Sequence, residues 1–213
     1  MSQFFSIYPD NPQARLIKQA AALIREGAVI VYPTDSGYAL GCHLNDKDAV
    51  TRIRQIRGVD DKHHMTLVCH DLSELAHYAR VDNAQFRLLK NNTPGSYTFI
   101  LEATKEVPRR LQHPKRSTIG LRIPDHPVAL ALLVELGEPL ISSTLILPDA
   151  SDPLTEIEEI RERLESRVDL IIEGGIVGVE PTTVIDLTEA VPVLLRRGKG
   201  DVSHFGIAEF DEK

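Results

Sequence analysis

The chain has 213 residues, 42% of them hydrophobic and 26% charged, with no Trp and a formal net charge of −7. These values fit one large globular domain filled by Leu, Ile, Val and Ala, and they exclude a protein that coats nucleic acid non-specifically. The two cysteines form no CxxC pair, no apolar run approaches membrane-spanning length, and the amino terminus lacks a basic leader. The expectation is therefore a cytoplasmic, membrane-free protein, read as a monomer.

Asn11 and Pro12 supply an N-cap and first-turn proline for a helix whose positions Ile17, Ala20, Ala21 and Ile24 share a face and which Gly27 ends. Ala28–Tyr32 reads as a buried strand, closed by Pro33, which has no N–H for a ladder. Thr34, Asp35, Ser36 and Gly37 follow at the strand's carboxyl end, where open α/β sheets bind ligands. A second helix starts at Asn45 or Asp46, buries Ala49, Val50, Ile53 and Ile56, and stops at Gly58. Arg52, Arg54 and Arg57 occupy its other positions. A charged loop over residues 60–64 leads to a strand at Met65–Cys69, with His70 at its end. Asp71 with Glu74, and Asp82 with Gln85, form capping boxes for two more helices.

Thr93, Pro94 and Gly95 turn the chain into a strand at Tyr97–Leu101. Residues 105–125 carry six basic side chains against two acidic ones, a local excess in an acidic chain, and 105–116 reads as a mobile loop. A strand at Thr118–Ile123 ends near Arg122. Asp125 and Pro127 begin a helix that Gly137 stops, and Leu140–Leu147 reads as a strand containing Ser142, Ser143 and Thr144. Thr155 and Glu158 box the last long helix, with the stripe Ile157, Ile160, Leu164 and Val168. Strands at Asp169–Ile172, Thr183–Leu187 and Val193–Arg196 complete the chain. Helices alternate with strands early and strands dominate late, which predicts a single α/β domain on a mixed sheet.

No GxxxxGK[ST] or GxGxxG loop is present, His63, His64, His70 and His77 lack structural-zinc spacing, and nothing resembles GxSxG. Thr34, His70, Arg122, Thr182 or Thr183, and Arg196 all fall at or near strand ends. Hydroxyls and guanidinium groups meeting at one sheet edge suit a carboxylate or phosphate; facing different sides of the sheet, they would never meet.

Six motifs carry a resemblance: PTDSGYALGC from Pro33, PGSYTFIL from Pro94, GLRIPDHP from Gly120, PLISST from Pro139, PTTVIDL from Pro181 and LLRRG from Leu194. In this order, within residues 12–200, the chain resembles the YrdC/YciO family. That resemblance implies one α/β domain over residues 1–213, with a twisted mixed sheet and flanking helices around a large basic cavity. It implies ATP with Mg²⁺, threonine and bicarbonate as ligands of catalytic members, which make threonylcarbamoyl-adenylate for tRNA modification. The family cavity has also been read as a double-stranded RNA site.

Carried over by position, Thr34, His70, Arg122 and Thr182 would bind substrate, and Arg57 and Thr144 would be catalytic. Arg52, Arg54, Lys62, Lys115, Arg116 and Arg196 would face nucleotide or RNA. No metal ligands are expected in the chain. Gln55 stands where the family has lysine and Ile146 where it has asparagine, which implies an altered nucleotide end. The leading reading is a nucleotide- or structured-RNA-binding protein with synthase activity weak or lost. The others are a working synthase in which Lys62 or Arg54 replaces the lysine, and a scaffold that keeps only the fold.

Overall fold

The computed structural model describes residues 2–207; residue 1 and residues 208–213 of the expected domain lie outside the described residues. Ten strands form one mixed sheet: β1 (Gln3–Ser6), β2 (Ile30–Thr34), β3 (Gly37–His43), β4 (Thr66–Val68), β5 (Tyr97–Glu102), β6 (Thr118–Arg122), β7 (Leu140–Thr144), β8 (Leu170–Glu173), β9 (Thr183–Asp186) and β10 (Val193–Arg196). Their order is β1-β8-β2-β3-β7-β4-β6-β5-β9-β10. The helices are α1 (Ala14–Arg25), α2 (Lys47–Arg57), α3 (Leu72–Tyr78), α4 (Asn83–Asn92), α5 (Pro127–Leu136) and α6 (Ile157–Leu164). The expected α/β domain with a mixed sheet and flanking helices is what the chain forms.

Local signals explain most helix ends. Asp46 caps α2 by accepting the Ala49 N–H at 2.8 Å, and Gly58 ends it in the left-handed conformation at φ 64°. Asp82 and Gln85 form the expected box on α4. Asp71 caps α3, but Glu74 reaches past it to the His70 N–H at 2.7 Å. Two caps fall elsewhere than the residue types suggest. α1 begins after Gln13 rather than Asn11, and α6 begins after Glu156 rather than Thr155, each without a side-chain cap.

Two strands lie where the pattern predicts none. β1 is a four-residue edge, and β3 reads Gly-Tyr-Ala-Leu-Gly-Cys-His, without a β-branched residue. Pro33 does not end β2, because pairing with β8 stops at Val31 and leaves Pro33 opposite Tyr38 of β3 alone. Residues 34–37 are thus a tight hairpin turn. Gly37 sits there at φ 132°, where a Cβ would come within 3.2 Å of the Gly178 carbonyl. Residues 105–116 are held down rather than loose: Val107 and Leu111 are buried in the main core, and Gln112 Nε2 donates to the Val107 carbonyl at 2.7 Å.

The sheet's two faces differ. One packs α2, α4 and α6 on Val31, Leu40, Leu67, Phe99, Leu121, Ile141 and Ile171. The other packs α1 and α5 on Ile30, Tyr32, Val68, Leu140 and Ile172. Those two helices cover only the β8–β2–β3–β7 side. Beyond them the same face of β4, β6, β5 and β7 carries Thr66, Gly120, Arg122, Thr98 and Ser142 and lines a cavity.

Candidate functional site

The cavity holds about 370 Å³, within the range of small-molecule sites. Its floor is kept open by Gly120, where a Cβ would meet Thr98 Cγ2 at 3.2 Å and Ile100 Cδ1 at 3.4 Å. Arg57, Arg116, Arg122 and Arg196 line it, with His63, His64 and His113 and nine Ser or Thr residues; no Asp or Glu is among the lining residues. Ile100, Leu111, Ile119, Val184 and Leu195 give it apolar wall.

Two bonded clusters divide the polar lining. In the first, Thr34 Oγ1 donates to the Gly37 carbonyl at 2.7 Å and accepts the Ser36 N–H at 3.2 Å, which fixes the hairpin turn. Arg122 donates to Ser36 Oγ at 3.0 Å and to the Asp35 carboxylate, leaving its buried Nε without a partner among the described residues. Thr98 and Thr182 hydroxyls lie 2.9 Å apart, and Arg196 donates to the Thr182 carbonyl at 2.9 Å and hydroxyl at 3.1 Å. Burial, with Arg122 nearby, lowers the Arg196 pKa from its ordinary value.

In the second cluster Arg57 Nε donates to the Ile146 carbonyl at 2.9 Å, and its Nη1 donates to Ser143 Oγ. His63 Nε2 lies 3.4 Å from the same Ser143 Oγ. His64 stacks on His113 with ring centroids 5.2 Å apart, and Arg116 donates to Asp186 at 3.1 Å. Burial lowers the Arg57 pKa. Burial first, then Arg57, lowers that of His63; burial, then His113, lowers that of His64. Arg116 and Arg122 have carboxylate partners, whereas Arg57 and Arg196 form no ion pair among the described residues. Partly buried guanidinium groups without counter-charge are what an anionic ligand completes.

The structure therefore brings Thr34, Arg57, Arg116, Arg122, Thr144, Thr182 and Arg196 together around one cavity. His70 is not among them. It lies in a separate shallow depression with Asp71 and Pro94, its Nδ1 held by Glu74 at 2.8 Å. Arg52 is spent on Asp169 at 2.8 Å and Arg54 on Asp61 at 3.3 Å, and neither lines the cavity. Lys62 and Lys115 are exposed and outside the lining. Gln55 is exposed too and does not line the cavity: it is two residues from Arg57, and helix positions two apart point to different sides. The expected loss of a lysine charge at Gln55 therefore has no counterpart in the cavity. Ile146, by contrast, lines it.

Ser36, His64 and His113 were not legible as site residues. A partial signal did exist: Thr66-Leu67, Thr98-Phe99 and Thr118-Ile119-Gly120-Leu121 alternate small or polar with apolar, marking a sheet face that no helix covers. The lining supplies no carboxylate for a divalent cation, so the expected Mg²⁺ finds no protein-built site there. Among the described residues no group of three metal-ligating side chains occurs, and no helix is long and apolar enough to cross a membrane.

Known proteins share this architecture. The chain is 61% identical over 205 residues to the YciO protein of Escherichia coli K12, covering 96% of this chain and all of that one. The crystal structure of E. coli YciO superposes with a TM-score of 0.92 over 96% of this chain and all of that one. The threonylcarbamoyl-AMP synthase of Bacillus subtilis is 33% identical over 89% of this chain and 54% of its own length. Pyrococcus abyssi Sua5 complexed with L-threonine is 28% identical, with a TM-score of 0.85 over 92% of this chain and 58% of that one. The Sua5/YciO/YrdC family model, described as telomere recombination, matches residues 22–198, and the chain belongs to that family.

Proposed function

We propose that the cavity binds a nucleoside triphosphate together with a threonine-like amino acid, and that the chain is a slow threonylcarbamoyl-adenylate synthase, better at binding than at turnover. The supporting observation is a lining of four arginines and three histidines without a carboxylate, in a chain of net charge −7. In this reading a carbamate made from threonine and bicarbonate attacks the α-phosphorus through its oxygen, and pyrophosphate leaves. Such chemistry asks the protein for position and positive charge rather than for a covalent group.

Arg57 and Arg116 would hold the departing phosphates, while Arg196 with Thr182, and the free Nε of Arg122, would face the amino acid and α-phosphate. Ile146 presents apolar surface beside Arg57 where the family resemblance implies an amide. Losing one preorganised donor slows such a step by about 10²–10³. Structured RNA is the less favoured ligand, because four of the six residues expected to meet it, Arg52, Arg54, Lys62 and Lys115, lie outside the lining.

The test is purified protein with ATP, bicarbonate and labelled threonine, scored for pyrophosphate and the adenylate. Binding of ATP and threonine with turnover about a hundredfold below that of a relative with asparagine at this position is expected. Absence of binding, or turnover equal to that relative's, overturns the reading.

A further inference from the structure

The second cluster contains a hydrogen-bond chain whose direction depends on one proton. Arg57 can only donate, so Ser143 Oγ accepts from it. The single Ser143 hydroxyl proton is then free to point at His63 Nε2, 3.4 Å away, which accepts it when the imidazole is neutral. Protonation of His63 at Nε2 reverses that contact: Ser143 then accepts from both Arg57 and His63, and its hydroxyl proton must turn elsewhere. Ser143 lines the cavity, so the proton is presented to whatever anion lies there.

We propose that this end of the cavity is a proton-linked oxyanion site, in which binding of a phosphate-type dianion is coupled to proton uptake at His63 and to redirection of the Ser143 hydroxyl toward the ligand. The proposal rests on the anion-binding reading above and adds to it a pH control and two residues that carry it.

The surroundings of His63 are predominantly cationic. Arg57 and Arg54 face it from α2 and His64 adjoins it, while Asp60 alone favours its charged form. Arg54 is itself tied to Asp61. With the site empty, burial first and then these cations favour the neutral imidazole; a dianion reverses the local field and draws the proton in. His64 faces His113 and Arg116 and responds in the same direction. His113 plays a different part. Its Nδ1 accepts the N–H groups of Lys115 and Arg116 at 3.2 and 3.1 Å, which places the neutral ring's proton on Nε2. In that tautomer its Nε2–H is a donor.

Methanedisulfonate, whose charge is constant across pH 5.5–8.5, separates the protein's titration from the ligand's; inorganic pyrophosphate serves as the phosphate probe. Calorimetry in two cationic buffers of different ionisation heat counts the protons taken up. The expected result is methanedisulfonate binding at least about tenfold tighter at pH 6 than at pH 8, with net proton uptake near pH 7. His63→Gln removes about one proton from that slope, and Ser143→Ala weakens it although His63 is intact. In ¹³C-histidine-labelled protein the His63 ring, assigned through His63→Gln, should titrate at higher pH with ligand than without.

Equal affinity at pH 6 and pH 8, or an unchanged slope in His63→Gln, overturns the coupling while leaving the anion site standing. Absence of binding of either probe at every pH overturns the anion site itself. His63 is only partly buried, so its replacement leaves the fold to report binding cleanly.

Discussion

Arg57 and Arg122 both reach the cavity, yet the structure predicts opposite consequences for removing them. Arg57 donates to the Ile146 carbonyl and to Ser143 and has no carboxylate partner among the described residues. Its charge is therefore available to a ligand. A hydrogen bond to a charged group is worth about 1.5–3 kcal/mol, so Arg57→Met should weaken pyrophosphate binding by about 10- to 150-fold. Taking away a partly buried cation that lacks a counter-ion costs the fold little, and the melting temperature should stay within about 3 °C.

Arg122 is paired with Asp35, and their side chains are only 10% and 6% exposed. Arg122→Met strands that carboxylate in the interior. Breaking one partner of a buried pair costs about 3–5 kcal/mol, which in a chain of this size lowers the melting temperature by roughly 6–20 °C. Titration calorimetry with pyrophosphate at low salt and scanning calorimetry on the same samples read both quantities. An Arg57→Met protein that binds normally would refute the reasoning, as would an Arg122→Met protein that keeps its melting temperature while losing the ligand.

Three further outcomes follow from particular residues. Gln55→Lys should leave pyrophosphate release unchanged, because that side chain points away from the cavity, whereas Ile146→Asn should raise it; equal responses in a turnover assay would contradict the geometry. His126 is buried with Nδ1 unpartnered among the described residues, and burial pulls it below its ordinary pKa of 6.5. The unfolded chain therefore takes up the proton first: this contribution is present above about pH 6.5 and is lost as pH falls below it, so His126→Gln should flatten the fall in melting temperature between pH 7 and pH 5. Cys42 and Cys69 are both buried, and burial pushes the Cys42 thiol up to about 12; neither should react with a thiol reagent at pH 8 until denaturant is added, and rapid labelling of native protein would contradict this.

What could be read from the sequence was local. The stripe Ala49, Val50, Ile53 and Ile56 repeats at the helical period, and Asp46, Asp71 and Asp82 cap within three residues, so these elements fell where expected. β3 was hidden because it has no β-branched residue and includes Gly37 and Gly41, a residue type that weakens strands. Gly41 is in fact small for packing: a Cβ there would lie 2.9 Å from Tyr32 Cε1, whose ring crosses to let its hydroxyl donate to Ser142 at 2.8 Å. Site membership was not local. Thr34 ends β2, Arg122 ends β6, Thr182 precedes β9 and Arg196 ends β10; β3, β7 and β4 separate β2 from β6, and β5 separates β6 from β9, so only the folded sheet brings them to one cavity. His70 follows its strand as directly as Thr34 ends its own, but Glu74 and Asp71 hold it outside the cavity. Family position assigned Gln55 and Arg57 together, and helix geometry separates them.

The strand order also fixes a timetable for synthesis. β1 pairs with β8 alone, through Gln3↔Leu170 to Ser6↔Glu173, and β2 meets the same strand at Ile30↔Leu170. At about 5–20 residues per second, the edge of β2 waits on the order of 7–28 s for that partner to be made. Through this interval Ile30 and Val31 can close a hairpin with β3, but their other edge stays open. Chains halted before Leu170 should therefore be the aggregation-prone species. Because the cavity wall runs from Thr34 to Arg196, a ligand can recognise only a chain whose translation has passed Arg196, and cannot assist the earlier stages of its folding.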